Sequence, residues 1–255
     1  MTLTASATPL VVAHRGASAD APENTLAAFK LAWEQGADAI EADFRLSRDG
    51  QLVCIHDAST SEISTQIRNV HETDWAILRE IDVGSWKDKR FAEERMPTLT
   101  EVLETVPSDK LAVIELKEDP NLVAPFLTEL AESKFPINQL LVISFEPAII
   151  KDIERQQPDI QTSLLISFRV THNSVTPNIR SVMLLAKQVN ADAVSLSAKG
   201  PLTPHNIQLL KDEGLDVHVW TVDQPPLAQY LATAGVDSIT TNVPGVIAAA
   251  LGTQP

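Results

Sequence analysis

Cysteine is almost absent. Cys54 is the single one in 255 residues, so no internal disulfide can form and the fold does not depend on an oxidising compartment. It lies in the apolar run Leu52-Val53-Cys54-Ile55, where a thiol reads as a buried strand residue. Basic residues are scarce too: 20 Lys and Arg stand against 34 Asp and Glu, a formal net charge of −14. So acidic a surface repels nucleic-acid phosphates and anionic membranes, which argues against both as partners. Long apolar runs are missing. Residues 1–9 are small and polar with no basic side chain, and the apolar stretch that follows, residues 10–13, is too short for a signal h-region or a membrane span. The expectation is a cytoplasmic protein without membrane insertion. Neither an internal repeat nor a Gly/Pro-rich linker divides the chain, so residues 1–255 read as one domain.

What is present is apolar material, 44% of the residues, in a regular rhythm. A chain of this length can bury roughly 70–75% of the surface it exposes unfolded. Short β-branched runs at residues 10–13, 39–46, 111–116, 140–144, 162–166, 193–196, 217–222 and 238–241 alternate with longer helical patterns. The first helical pattern opens at Pro22-Glu23-Asn24-Thr25 and closes at Gly36. Ser47-Arg48-Asp49-Gly50 reads as a turn into an extended stretch at 51–55. Residues 58–96 break the rhythm; they are polar, carry a short helical stretch at 75–78, and read as an insertion. Eight strand-then-helix units in about 250 residues predict an α/β fold, a (β/α)8 TIM barrel, with that insertion between its second and third units.

Barrel enzymes carry their sites at the C-terminal ends of the strands. The polar residues falling there are His14-Arg15-Gly16, then Glu41 and Asp43, His56-Asp57, Glu115-Leu116-Lys117, and Trp220-Thr221. Side chains alternate along a strand, so Glu41 and Asp43 face the same way, as do Glu115 and Lys117. Either pair alone could be neutralised by Arg45 and Lys117. Three carboxylates at one mouth, beside two histidines, favour a hard divalent cation, Mg²⁺ or Ca²⁺. Taken alone, His14 reads as a hydrogen-bonded structural histidine. With His56 it makes a pair able to serve as general base and general acid. The planar fork of Arg15 suits phosphate oxygens. Surface positions are expected for His71, His172 and His205, and an interior structural one for His218.

The segment His14-Arg15-Gly16-Ala17-Ser18, then Pro22-Glu23-Asn24-Thr25 and Ala28-Phe29, resembles the opening signature of the glycerophosphodiester phosphodiesterase family. Glu41-Ala42-Asp43, Asp49-Gly50, His56-Asp57, Pro97-Thr98-Leu99, Glu115-Leu116-Lys117, Val219-Trp220-Thr221-Val222 and Gly235-Val236-Asp237 follow in the family's order. The resemblance spans essentially the whole chain. It implies a barrel with a small insertion, here 58–96. It also implies His14 and His56 as the acid/base pair, and Glu41, Asp43 and Glu115 as ligands of one Mg²⁺ or Ca²⁺. Arg15 and Lys117 become phosphate contacts, and Trp220 a wall of the pocket. The implied reaction is hydrolysis of a glycerophosphodiester to sn-glycerol 3-phosphate and an alcohol.

Three positions depart from the family pattern. Asp223 stands where Asn is usual, Ser238 where Gly is usual, and Asn242 where Asp is usual. These bear on the pocket's shape rather than on the groups assigned to metal or proton transfer. Two other readings stay open at this point. One is a barrel phospholipase or lyase acting on intact phospholipids; the other is a non-catalytic barrel that binds glycerophosphate.

Overall fold

The computed structural model describes residues 8–172 and 174–253. The polar N-terminal segment falls outside them up to residue 7. Among the described residues eleven strands are formed: β1 (Leu10–His14), β2 (Ala39–Leu46), β3 (Leu52–Cys54), β4 (Leu111–Leu116), β5 (Leu140–Ser144), β6 (Gln161–Ile166), β7 (Arg169–Val170), β8 (Val175–Thr176), β9 (Ala193–Ser197), β10 (Asp216–Trp220) and β11 (Ser238–Thr241). Eight of them run parallel in the order β1-β2-β4-β5-β6-β9-β10-β11, and β11 pairs back onto β1 to close the barrel.

Period-two patterning decides what each strand presents to which side. On β2, Ile40, Ala42 and Phe44 point outward and pack under the helices, with Phe29, Ile114, Leu116 and Phe126. On the other face of the barrel wall, Val12, Ala39, Val113, Ile143 and Leu165 fill the interior. A second outer layer joins Leu164, Val194, Leu196, Val217 and Ile239 to the later helices. Those helices are α1 (Leu26–Glu34), α2 (Trp75–Leu78), α3 (Leu99–Leu103), α4 (Val123–Ser133), α5 (Pro147–Gln156), α6 (Ile179–Val189), α7 (Pro204–Asp212), α8 (Pro225–Ala234) and α9 (Pro244–Leu251).

Local chemistry sets where helices begin and end. Pro opens α5, α7, α8 and α9, where its missing N–H costs nothing. Thr98 and Glu101 form a reciprocal capping box at the start of α3. Gly235 and Gly252 end α8 and α9 in the left-handed conformation.

Four details differ from expectation. Helix α1 begins at Leu26, capped by the Thr25 hydroxyl, because Asn24 takes φ +57° and turns Pro22–Thr25 away from the helix. Strand β10 stops at Trp220 rather than 222. The helical pattern that Pro97-Thr98 opens in the sequence runs on to Val106, but α3 ends at Leu103. A two-residue hairpin, β7 with β8, follows β6 and has no hydrophobic alternation to announce it.

Residues 58–96 hold short 3₁₀ turns and α2, at the expected 75–78. They pack Ile63, Val70, Leu78, Ile81, Val83 and Met96 against Val53 and Ile55, a small satellite core over the antiparallel β3. His71, His172 and His205 are exposed, as the sequence suggested, and His218 is buried inside the barrel. Among the described residues no helix is long and apolar enough to cross a membrane.

Candidate active site

The inward-facing positions at the C-terminal ends of β1, β2 and β4 carry ionisable side chains. Register brings them level: His14 is opposite Glu41, and Asp43 is opposite Glu115. Glu41, Asp43 and Glu115 each offer a carboxylate oxygen within 4.8 Å of the others, and all three are buried.

Two cations answer the three carboxylates. The Lys117 ammonium lies 2.7 Å from Asp43 Oδ1 and 2.5 Å from Glu115 Oε1. Arg15 Nε lies 3.3 Å from Asp43 Oδ2, while its Nη1 donates to Glu23 at 2.8 Å. The Arg15 backbone N–H donates to Glu41 Oε2 at 2.9 Å. That bond requires the turn after β1, where Arg15 and Gly16 both take positive φ. A Cβ at Gly16 would meet the Ala28 backbone at 2.6 Å, so the turn accepts glycine alone.

The charge balance is incomplete, and protonation makes up the difference. Burial, then repulsion from Asp43 and Glu115, raises Glu41 well above the usual carboxylate range. Burial and Asp43 push Glu115 up to about 7, against the pull of Lys117. Asp43 goes the other way. Its burial is outweighed by Lys117 and Arg15, which hold it well below the usual range. Lys117 stays charged because Asp43 and Glu115 overcome the cost of its burial. Glu41 Oε1 is buried with no hydrogen-bond partner among the described residues. A buried acceptor of this kind, between protonatable carboxylates, suits a cation that replaces the protons.

The histidines flank this cluster. His14 Nδ1 lies 2.7 Å from Asn242 Oδ1. Burial and the Arg15 charge lower its affinity for a proton, opposed in part by Asn242. His56 stands two residues past β3, half exposed, its Nδ1 2.7 Å from Asp57 Oδ1. Arg45 holds the His56 carbonyl at 2.8 Å and pairs with Glu118, so it does not neutralise the buried carboxylates.

The opposite wall is apolar. Leu141, Ile143, Phe145, Leu165 and Trp220 line it, and the whole mouth encloses about 550 Å³ open to solvent. Trp220 meets Phe145 edge to face at 5.5 Å and donates its indole N–H to the Ser195 carbonyl at 3.0 Å, which fixes the ring. All eight residues singled out from the sequence border the pocket or its carboxylate cluster: His14, Arg15, Glu41, His56, Glu115, Lys117 and Trp220 line the cavity, and Asp43 lies beneath.

The side chains that support these groups have no role assigned to them by the sequence pattern. Asn24 donates to Asp43 Oδ2 at 2.8 Å and accepts from the Asp43 N–H at 3.2 Å, and Glu23 pairs with Arg15. Both sit in a segment that reads as an ordinary helix start. Asn242 and Phe145 carry no signal in spacing at all.

A half lined by carboxylates and their two paired cations faces an apolar half, at the C-terminal end of the barrel strands. Residues 14–246 match the model of the glycerophosphoryl diester phosphodiesterase family. The chain belongs to that family. The glycerophosphodiester phosphodiesterase of Caldanaerobacter subterraneus subsp. tengcongensis is 31% identical over 240 residues, covering 92% of this chain and 94% of the relative. A phosphodiesterase of Oleispira antarctica, solved in complex with the product sn-glycerol-3-phosphate, superposes with a TM-score of 0.86 at 27% identity, over 96% of this chain and 97% of that one. A glycerophosphodiester phosphodiesterase from Agrobacterium tumefaciens superposes with a TM-score of 0.80 at 28% identity, over 94% and 99%. Membership in the family agrees with the resemblance carried by the ordered motifs.

Proposed function

We propose that the chain hydrolyses glycerophosphodiesters to sn-glycerol 3-phosphate and an alcohol, with one divalent cation, Mg²⁺ or Ca²⁺, held by Glu41, Asp43 and Glu115. One observation carries this reading: three buried carboxylates converge within 4.8 Å beside Arg15, Lys117 and two histidines. Family membership and the product held by the Oleispira antarctica relative support the substrate class.

The donor set fits a hard cation, since all three ligands are carboxylate oxygens and Glu41 Oε1 is otherwise unsatisfied. Such an ion supplies Lewis-acid stabilisation of charge on the phosphoryl oxygens. The rest falls to the protein. Arg15 and Lys117 bind non-bridging oxygens as negative charge builds there, and both are already fixed by ion pairs. One histidine withdraws the proton of the attacking hydroxyl, from water or from the substrate. The other delivers a proton to the departing alkoxide, which leaves poorly as an anion. Trp220 and Phe145 cover the apolar side of the diester and exclude water from it. Residues 1–255 act as one catalytic domain with 58–96 inserted, working on water-soluble diesters in the cytoplasm.

The test is substrate choice. The protein is incubated with glycerophosphocholine, with glycerophosphoethanolamine, and with vesicles of intact phosphatidylcholine, and products are identified. Release of sn-glycerol 3-phosphate from the soluble diesters alone is expected. Cleavage of the vesicle lipid in preference to them sinks the proposal in favour of a lipid-acting barrel.

A further inference from the structure

The two departures at Asp223 and Asn242 are partners in space. Asp223 follows β10, Asn242 follows β11, and the two side chains meet beside His14. Asp223 Oδ1 accepts from the Asn242 backbone N–H at 2.8 Å and from the Thr241 hydroxyl at 2.9 Å. Its Oδ2 accepts from Asn242 Nδ2 at 2.7 Å. On its other side Asn242 Oδ1 faces His14 Nδ1 at 2.7 Å and accepts from the Ser18 hydroxyl at 3.0 Å.

This chain of bonds has one direction. An ionised carboxylate only accepts, so the amide nitrogen of Asn242 must face Asp223. Rotating the amide by half a turn would set two acceptor oxygens 2.7 Å apart. The amide oxygen is thereby aimed at His14, and an oxygen there can only accept. His14 Nδ1 must therefore carry the hydrogen, which leaves Nε2 as the nitrogen free to exchange a proton at the pocket. We infer that Asp223 and Asn242 are positioning residues that fix the ring orientation and the Nδ1–H tautomer of His14. The inference rests on the reading of His14 as a proton-transfer group. It also gives the two sequence departures one meaning: exchanging the amide and the carboxylate between the two positions keeps one amide-to-carboxylate hydrogen bond between them, with its direction reversed, and still leaves an acceptor oxygen facing His14.

The test combines ring ¹⁵N NMR of His14 with steady-state kinetics on glycerophosphocholine. It uses the wild-type chain, Asn242→Ala, Asn242→Asp, and the exchange Asp223→Asn with Asn242→Asp. The wild type is expected to show the Nδ1–H form. Asn242→Ala should shift the ring toward Nε2–H and lower kcat at least about tenfold with KM changed less than about twofold, since a wrong histidine tautomer damages turnover rather than binding. Asn242→Asp alone sets a second carboxylate against Asp223 and should be impaired. The exchanged pair should regain the Nδ1–H form and bring kcat to within about threefold of wild type. The exchange also keeps the test decisive if Asn242→Ala folds poorly, as a thermal melt would reveal. An unchanged tautomer and kcat in Asn242→Ala, or an exchanged pair no better than Asn242→Asp, overturns the inference. If the tautomer responds as expected but no form of the protein cleaves a diester, the positioning stands and the hydrolase reading fails.

Discussion

At the scale of single residues, the carboxylates of the site are buried and set one another's protonation, and in the proposed reading cation binding competes with those protons. His14→Ala and His56→Ala should each leave the fold intact and lower kcat by about 10²–10⁴, the usual worth of a general acid or base. Circular dichroism and initial rates measured together check this, and an unchanged rate removes that histidine from the mechanism. Cation binding should depend on pH. Glu115 is pushed up to about 7, so below that it holds a proton the cation must displace. Affinity is therefore expected to rise with pH through this range and to fall as pH drops, with protons released on binding. Titration calorimetry at two pH values in buffers of different ionisation enthalpy reads both. The placing of the carboxylates, histidines and Trp220 at one barrel mouth was legible in the sequence because each lies on a strand or within two residues of its end. Asn24 and Asn242 were not. Asn24 acts through a left-handed turn, and Asn242 through a contact 228 residues away from His14. Neither leaves a trace in local periodicity.

At the scale of elements, strand register does the positioning. Eight parallel strands and their connecting helices were readable because hydrophobic alternation and Pro or Gly punctuation agree. The β7–β8 hairpin was unreadable because two-residue strands carry no periodic signal. Inside the barrel, His218 on β10 bonds Ser238 on β11 at 2.8 Å. Burial, with Lys211 adding to it and Asp237 opposing, lowers His218 from its ordinary 6.5 to about 4. The unfolded chain thus binds this proton more readily than the folded one. The contribution to stability is complete above the ordinary value and is lost as pH falls from there through the folded value. Over that window it amounts to about 3 kcal/mol. His218→Leu should flatten the acid limb of stability, measured by urea unfolding at a series of pH values between neutral and 4. An unaltered limb would place the acid sensitivity elsewhere. Removing the capping box by Thr98→Ala should cost about 1 kcal/mol in the same assay.

At the scale of the whole molecule, a chain of net charge −14 sets only two of its 20 basic side chains, Arg15 and Lys117, against the three buried carboxylates of the site. Arg15 and Lys117 are already paired with carboxylates, so in the proposed reading an added cation is what would make the site attractive to a phosphodiester. The acidic exterior should also keep the protein off anionic vesicles at physiological salt, and co-sedimentation with such vesicles would contradict that. In the proposed chemistry hydrolysis depends on a cation held by Glu41, Asp43 and Glu115. The most direct measurement is release of sn-glycerol 3-phosphate from glycerophosphocholine by EDTA-treated protein, before and after Mg²⁺ or Ca²⁺ is restored. No release is expected without the cation, and recovery with one of the two. Equal rates with and without EDTA would contradict that dependence.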